Sequence, residues 1–231
     1  MTSPHDPAPG DVPSSGPSEW NAAAYDRLSE PQVRWGRVVA LDASASMLDE
    51  ARRRLRANLD RVRFVRADLL ALDRYILGED APVDAVLSTA TFHWVTDHDG
   101  LFANLATVMR PGAQLVGQCG ARGNIARLLD AVHSVGVERA GTWLYATPEE
   151  TVARLERAGF VDIDVWTNPE PTPFSDDESL AAFLETVCLR EHLGTVPREQ
   201  WRPLVLRVIG AMAEPVIDYI RLNIVARRAP G

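Results

Sequence analysis

The chain alternates short apolar runs with stretches that are apolar at helical spacing. Short runs at 37–42, 62–65, 83–88 and 113–117 predict strands that are buried on both faces of a parallel sheet. The stretch after the first run carries apolar residues on one helical face, namely Met47, Leu48, Ala51 and Leu55. Because strands and helices take turns, we predict right-handed crossovers and an α/β fold with a mostly parallel sheet.

Local signals predict where several helices begin and end. Ser46, followed by Asp49, has the spacing of a capping box and predicts a helix start. The run 147–150 predicts a second start, with a capping threonine, proline at the first position and glutamate in the first turn. Gly159 is expected to end that helix ahead of a strand over 160–166.

Residues 1–18 differ in composition from the rest of the chain. They are rich in Pro, Gly, Ser and Asp, so they cannot bury enough apolar surface to offset the entropy of ordering, and we predict a disordered tail. A short helix is predicted over 20–28. We expect a single domain over 19–231, with a helical insertion near 178–213 and a last strand over 217–226.

Composition and charge narrow the functional classes. Hydrophobic residues make up 46% of the chain and charged residues 24%, which is typical of a soluble globular protein. No apolar run could span a bilayer, and the N-terminus lacks a signal-peptide pattern, so we expect a cytoplasmic protein that does not enter membranes. Cys119 and Cys188 have no metal-type spacing and are interpreted as buried thiols. The formal charge of −8, without a basic stripe, argues against a nucleic-acid partner.

Six motifs follow one another along residues 18–228. They are WNAAAY at 20–25, VALDASASML at 39–48, RADL at 66–69, STATFHWV at 88–95, MRPGA at 109–113 and DYIRLNIVA at 218–226. In this order they resemble the class I S-adenosylmethionine (AdoMet)-dependent methyltransferases, most closely the trans-aconitate methyltransferase-like group. The resemblance implies a Rossmann-like sheet with a reversed last strand and AdoMet as cofactor. It also implies methyl transfer to a carboxylate or hydroxyl oxygen of a small-molecule acceptor.

The resemblance assigns the cofactor contacts to strand ends and the segments that follow them. These expected contacts are Asp42, Ala43, Met47, Asp68, Leu69 and Thr89. An acid at a strand end, as at Asp42, can accept hydrogen bonds from both ribose hydroxyls, and an Asx turn is the alternative. Asp68 would accept from the adenine amino group or else be a turn residue, and Met47 would contact adenine or lie in the core. Thr89 falls where relatives present main-chain groups to the methionine end of the cofactor.

The acceptor side is assigned to an aromatic pair and to the predicted first helix. His93 could act as a general base or orient an acceptor carboxylate or hydroxyl, and Trp94 could exclude water. Trp20 and Tyr25 could cover the substrate pocket, or they could instead pack a helix on the sheet. The acids within 97–99 fit helix capping, and relatives in the group transfer methyl without a metal, so no metal site is expected.

One unit of the family is missing from this chain. Relatives carry a first strand, a Gly-x-Gly-x-Gly loop and a helix before the strand that ends in Asp42, whereas here Gly36 runs directly into Arg37. Such a unit amounts to roughly 30 residues. Its strand would be central and its loop would approach the cofactor, so we expect unpaired sheet edges and weakened AdoMet binding. An in-frame deletion and a gene-model error would both produce this join.

Two other classes of function stay open at this point. A methyltransferase-like protein without its glycine loop could be catalytically inactive, or could serve as a partner subunit. A dinucleotide-dependent oxidoreductase shares the strand-end acid at Asp42, but the later motifs argue against it. The sequence leaves the acceptor and the oligomeric state undetermined.

Overall fold

The computed structural model describes residues 37–138, 141–194 and 196–231. The predicted tail over 1–18, the predicted helix over 20–28, and the pocket candidates Trp20 and Tyr25 lie outside the described residues.

Strands and helices alternate through the first half of the described chain, as predicted. The strands are β1 (Val38–Asp42), β2 (Val62–Arg66), β3 (Val83–Thr89), β4 (Met109–Gly120), β5 (Phe160–Pro173) and β6 (Val216–Arg228). The α-helices are α1 (Ala45–Arg54), α2 (Arg74–Leu77), α3 (His98–Val108), α4 (Ala126–Ser134), α5 (Pro148–Arg157), α6 (Asp177–Phe183), α7 (Arg190–Leu193) and α8 (Trp201–Ala211). A π-helical turn, Leu184–Cys188, joins α6 to the segment before α7.

The strands form two separate sheets. One holds β1 and β2 in parallel, and the other has the strand order β3-β4-β6-β5. In the second sheet β3 and β4 are parallel, while β6 runs antiparallel to both of its neighbours. The α/β class and the reversed last strand are confirmed. No strand of the described residues lies between β1 and β3, so the sheet is split where the sequence lacks the family's first strand.

One face of the four-stranded sheet is buried, and the other is partly exposed. Leu115 and Ile224, on the buried face, pack into a core with α3 and α5 and are at most 1% exposed. On the opposite face, Leu87 is 77% exposed and Trp166 is 43% exposed. Among the described strands, β1 pairs only with β2 and β3 pairs only with β4, so each has one edge without a partner strand. The part of this face around Leu87 and Trp166 therefore has no layer of described residues packed on it.

A second apolar core lies between the helices that follow β4 and those that follow β5. Leu128 from α4, Leu180 from α6 and Val205 from α8 meet there with no exposed surface. Helices α2, of four residues, and α4, of nine, were not predicted. No helix of the described residues is long and apolar enough to cross a membrane.

The capping box predicted at Ser46 is wrong. Helix α1 begins at Ala45 with Ser44 as its N-cap, and the Ser44 hydroxyl accepts from the Met47 amide at 3.4 Å. The reason is the preceding turn, in which Asp42 Oδ1 accepts from the Ser44 amide at 2.7 Å and turns the chain two residues earlier than the pattern indicated. Ser44, whose amide is bonded to Asp42, is therefore the N-cap in place of the predicted Ser46.

The second predicted helix start is confirmed. Thr147 Oγ1 accepts from the Glu150 amide at 3.2 Å, and Glu150 Oε2 accepts from the Thr147 amide at 3.0 Å, which completes a capping box. The helix ends at Arg157, and Gly159 has φ of 79°, a left-handed conformation that glycine adopts without strain. Strand β5 then continues to Pro173, well beyond the predicted 160–166.

Candidate cofactor and acceptor site

The carboxyl ends of β1 and β2 lie side by side and bring two of the predicted cofactor residues together. Asp42 is opposite Arg66 in the parallel register, and the Ala67 amide donates to the Asp42 carbonyl at 3.2 Å. Asp68, the next residue after Ala67, therefore lies near Asp42 at the same edge of the sheet. In open α/β sheets this edge is where ligands bind.

Asp42 makes the Asx turn and still keeps an oxygen available. Its Oδ1 accepts from the Ser44 amide, and no hydrogen bond to Oδ2 is formed by the described residues. The turn and a ribose contact therefore use different oxygens. The neighbouring Ala43 carbonyl accepts from Arg66 Nε at 3.2 Å, which holds the strand end in place. Met47 is 59% exposed on α1, so the alternative that places it in the core is wrong.

Asp68 and Leu69 lie in a loop that α3 holds. Asp68 Oδ1 accepts from the Leu70 amide at 2.9 Å and caps a short 3₁₀ turn, so its turn role is present. Asn104 on α3 donates from Nδ2 to the carbonyls of Leu69, at 3.0 Å, and Leu70, at 2.9 Å. As at Asp42, one carboxylate oxygen of Asp68 remains for a ligand. The adenosine half of a cofactor would find two such oxygens in this corner.

The chain turns sharply after Thr89, at the exposed end of β3. Ala90 has φ of 54°, a left-handed conformation that costs a non-glycine residue roughly 1–2 kcal/mol. The turn is held by the Ala90 amide, which donates to the Gln118 carbonyl at 2.8 Å, and by Thr91 Oγ1, which donates to the Thr89 carbonyl at 3.0 Å. It directs the 3₁₀ turn Phe92–Trp94 against the end of β4.

His93 is buried in that turn and its hydrogen bond defines its tautomer. The imidazole is 8% exposed, and Nδ1 accepts from the Gly120 amide at 3.3 Å. Burial, the charge of Arg221 and the neighbouring His98 lower the pKa of His93 to about 4, so the ring is neutral at pH 7. Because Nδ1 is the acceptor, the single proton lies on Nε2. His93 therefore presents a hydrogen-bond donor rather than a general base.

An aromatic cluster surrounds His93, and sequence reasoning found only part of it. The cluster consists of His93, Trp94, Trp143, Tyr145 and His192. Its ring centroids lie 5.1–5.8 Å apart. Trp143, Tyr145 and His192 were missed. The Leu144 amide donates to the His93 carbonyl at 2.8 Å and so places the neighbouring Trp143 and Tyr145 beside His93. Two aromatic residues spaced by one, just before the Thr147 cap, were the available signal.

Glycine is required at position 120 by the close approach of Tyr145. A Cβ atom there would lie 2.5 Å from Tyr145 Cε1 and 3.0 Å from Asn124 Nδ2. The Gly120 amide also donates a hydrogen bond to His93, so this one residue contacts both the imidazole and the Tyr145 ring. The end of β4 thus sets the geometry around His93.

The acids within 97–99 serve the fold. Asp97 caps α3 by accepting from the Gly100 amide at 2.9 Å, and Asp99 pairs with Arg157 at 2.6 Å. His98 is buried, with Nε2 bonded to the Phe92 carbonyl at 3.0 Å. Within the described ranges no three His, Cys, Asp or Glu side chains are grouped so that they could hold a metal ion.

Both cysteines are buried thiols, as predicted. Neither Cys119 nor Cys188 forms a disulfide. Burial raises the pKa of Cys119 to about 12 and that of Cys188 to about 11, so both stay protonated. Neither thiol has the lowered pKa that a nucleophilic cysteine needs.

The residues present fit the adenosine half of AdoMet better than its methionine half. Asp42 and Asp68 each keep one oxygen available, and Met47 is exposed on the helix that follows Asp42. No glycine occurs between Gly36 and Gly78, so the chain after β1 cannot make the close main-chain approach of a glycine loop. No strand of the described residues lies between β1 and β3, so main-chain groups are also missing from the position where a glycine loop would approach the cofactor.

Comparison with known proteins agrees with this fold. The family described as "Methyltransferase domain" matches residues 24–112. The YcgJ protein of Bacillus subtilis has a similar fold, with a TM-score of 0.57 at 12% identity over 84% of this chain and 83% of that one. Over residues 24–112 the chain is therefore similar to methyltransferase domains.

Along most of its length the chain is also similar to trans-aconitate 2-methyltransferases. It is 26% identical to trans-aconitate 2-methyltransferase of Acidovorax sp. strain JS42 over 249 residues, covering 97% of this chain and 89% of that one. That comparison is longer than the 231 residues of this chain, so the relative has residues without a counterpart here. An uncharacterized methyltransferase of Schizosaccharomyces pombe is 24% identical over 147 residues, or 54% of this chain, which spans half of its length.

The buried His93 predicts a specific loss of stability in acid. Its pKa is about 4 when folded and near 6.5 when unfolded, so between these values the unfolded chain binds more protons. The stability contributed by neutral His93 is therefore present above pH 6.5 and falls, by about 3 kcal/mol in all, as the pH drops to 4. Urea unfolding of His93→Gln across pH 4–7 should show an acid loss that is smaller by that amount.

The matched control is His133→Gln, because His133 is exposed on α4. Its unfolding curve should follow the parent at every pH. If His93→Gln and the parent lose the same free energy between pH 6.5 and 4, the imidazole does not carry the acid sensitivity.

Proposed function

We propose that the chain transfers the methyl group of AdoMet to a carboxylate oxygen of a small acid. The carrying observation is the buried, neutral His93 with its proton on Nε2, at the acceptor side of the strand ends. A hydroxyl acceptor would need a base to remove its proton. A carboxylate is already ionised at neutral pH and needs only to be oriented.

The chain's own residues act by positioning and by excluding water. AdoMet supplies an electrophilic methyl on its sulfonium. His93 Nε2–H donates to one carboxylate oxygen and leaves the other free to attack in line. Trp94 and Trp143, whose rings meet at 5.8 Å, wall the acceptor side against water. Such catalysis by orientation needs no charged side chain at the reacting oxygen.

The proposed cofactor contacts are divided between the two sheets. Asp42 would bind the ribose hydroxyls through Oδ2, with Ala43 beside it, and Asp68 with the Leu69 main chain would bind the adenine edge. Thr89, at the end of β3, would face the methionine portion. The geometry that supports this division is the adjacent ending of β1 and β2 and the separate ending of β3.

We propose further that the missing unit attenuates cofactor binding. The split between β1 and β3 supports this, since relatives place a strand and its glycine loop there. The second candidate function, a methyltransferase-like protein that is inactive or acts as a partner subunit, is favoured by the same observation. We expect a cytoplasmic protein that acts on a small molecule rather than on nucleic acid.

The test is methyl transfer from radiolabelled AdoMet to a panel of small carboxylic acids and to the matching alcohols. It is run on the chain as it is and on a chain with a relative's strand, glycine loop and helix inserted between Gly36 and Arg37. Ester formation with acids, but not with alcohols, is expected and should be larger in the restored chain. Transfer to alcohols alone would contradict a carboxylate acceptor, and no transfer by either chain would favour the inactive form.

Asp42→Asn should weaken binding of the adenosine half of the cofactor. The amide loses the charge that strengthens hydrogen bonds from the ribose hydroxyls, at a cost of about 1–3 kcal/mol, or roughly 5- to 150-fold in Kd. Calorimetric titration with S-adenosylhomocysteine and with adenosine measures it. The control is Asp49→Asn, since Asp49 pairs with Arg52 on the exposed side of α1. Equal affinities of Asp42→Asn and the parent would exclude Asp42 from the site.

A further inference from the structure

Asn104, on helix α3, bonds the loop that follows β2 to the core of the four-stranded sheet. Its Nδ2 donates to the Leu69 carbonyl at 3.0 Å and to the Leu70 carbonyl at 2.9 Å. An amide nitrogen carries two protons, so these two carbonyls use its whole donor capacity. One side chain therefore holds two consecutive peptide groups of the loop.

The loop that Asn104 holds carries the proposed adenine contacts. Asp68 caps its 3₁₀ turn by accepting from the Leu70 amide, and the Leu69 carbonyl closes the turn by accepting from the Leu72 amide at 3.3 Å. No described residue accepts a hydrogen bond from the Leu69 amide. Asp68 and the Leu69 amide therefore offer an acceptor and a donor from one turn, which is the pair that the amino edge of adenine needs.

Helix α3 is a rigid support for this loop. Leu101 and Leu105, on either side of Asn104 in the helix, are buried in the core with α5 and the sheet. At its first turn the same helix supports the acceptor side, because His98 Nε2 is bonded to the Phe92 carbonyl. His98 and Asn104 lie about 9 Å apart along the helix axis. One helix therefore spans from the turn that holds His93 to the adenine loop.

The bond from Asn104 matters because the sheet is split. No strand of the described residues lies between β1 and β3, so no ladder of main-chain hydrogen bonds from such a strand fixes β2 relative to the four-stranded sheet. At the amino ends of the strands, Asp80 pairs with Arg37 at 3.3 Å and with Arg63 at 2.5 Å. At the carboxyl ends, where ligands bind in open sheets, Asn104 makes the connection. The distance from the adenine loop to the acceptor side is therefore set by side-chain bonds.

We propose that Asn104 is a positioning residue for adenine recognition, which holds the Leu69 and Leu70 carbonyls so that Asp68 and the Leu69 amide meet the adenine edge. This inference rests on the proposed function, in particular on its adenine contacts. Asn104 touches no part of the cofactor itself and acts through the loop. A contact made by a loop is precise only when other bonds fix that loop, so loss of Asn104 should reduce the preference for adenine over other bases.

The experiment compares two ligands that differ only in the base. S-adenosylhomocysteine and S-inosylhomocysteine, in which an oxygen replaces the adenine amino group, are titrated by calorimetry into the full chain. The parent should prefer the adenine ligand roughly 10-fold or more, because Asp68 accepts only from the amino group. Asn104→Leu keeps a similar volume without donors. It should weaken binding of the adenine ligand roughly 10-fold and leave the inosine ligand unchanged, so that the preference is lost.

Two further variants of Asn104 and one control complete the series. Asn104→Asp turns acceptors towards two carbonyls and should lose the preference as well, whereas Asn104→Gln keeps the donors and should retain part of it. The matched control is Arg74→Gln, because Arg74 Nε donates to the Thr107 carbonyl at 2.6 Å and also bonds the segment between β2 and β3 to α3. It should keep the preference of the parent even if it melts at a lower temperature.

Melting curves show which variants are folded, and Asn104→Asp is the readout if Asn104→Leu is not. A folded Asn104→Leu or Asn104→Asp protein with the preference of the parent overturns the inference and leaves the Asp68 contact standing. Equal weakening of both ligands also overturns it, since that is the result of a merely structural bond. A parent that binds neither ligand, or binds both equally, overturns the inference together with its adenine contact. An Asn104-dependent preference without any methyl transfer by the restored chain would sink the proposed function and leave this inference standing.

Discussion

Inserting a relative's first strand, glycine loop and helix between Gly36 and Arg37 is expected to raise AdoMet affinity on the order of 100-fold. The inserted strand would lie between β1 and β3, which are unpaired with each other in this fold. Its loop would supply main-chain N–H donors to the carboxylate and ribose of the cofactor, and about three such bonds at roughly 1 kcal/mol each correspond to two orders of magnitude in Kd. Calorimetric titration with AdoMet measures the difference.

The restored chain should also self-associate less. Unpaired strand edges pair with other chains, and Leu87 on β3, 77% exposed, adds an apolar surface next to one of these edges. Light scattering on both chains measures this. A Gly/Ser linker of the same length at the same join is the control and should change neither property. A monomeric parent with the affinity of the restored chain would show that another segment already fills the gap.

Much of the fold could be predicted because, along most of the chain, the apolar pattern and the helix-start residues indicate the same elements. The strand runs that end in Asp42 and Thr89 are apolar, short and followed by helix starts, so their type and order follow from the pattern. The split sheet was predictable for a different reason, since the family resemblance shows which unit is missing. Ser46 failed as a cap because two serines with the same chemistry lie two residues apart, and Asp42 selects between them through its turn.

The candidate site could be predicted only where one segment carries its residues. Asp42, Asp68 and His93 each belong to a motif at a strand end, and the sequence names them. Trp143 and Arg221 reach the site through long-range pairing, with the Leu144 amide bonded to the His93 carbonyl and β6 registered on β4. The tautomer of His93 depends on the Gly120 amide, which is 27 residues away along the chain. No local pattern encodes such contacts.

The core beneath the acceptor side should tolerate truncation poorly. Phe102 on α3 is fully buried, and its ring meets Phe92 edge-on at 5.9 Å, directly before His93. Phe102→Ala removes a large side chain from a site closed by α3 and the sheet, so we expect it to cost about 3–5 kcal/mol. That is a large part of the roughly 5–15 kcal/mol typical of a folded domain. Urea unfolding followed by circular dichroism measures the loss.

Two further variants separate the effect of this cavity from a general loss of apolar surface. Phe102→Leu keeps most of the volume and should cost less than about 1.5 kcal/mol. Tyr75→Ala removes an aromatic ring that is 93% exposed on α2 and should change stability by no more than about 0.5 kcal/mol. Because Phe92 supports the turn that buries His93, Phe102→Ala should also let water reach the imidazole and reduce the acid sensitivity that burial causes. A Phe102→Ala protein within about 1 kcal/mol of the parent would contradict the packing argument, since a rigid core cannot lose a phenylalanine ring so cheaply.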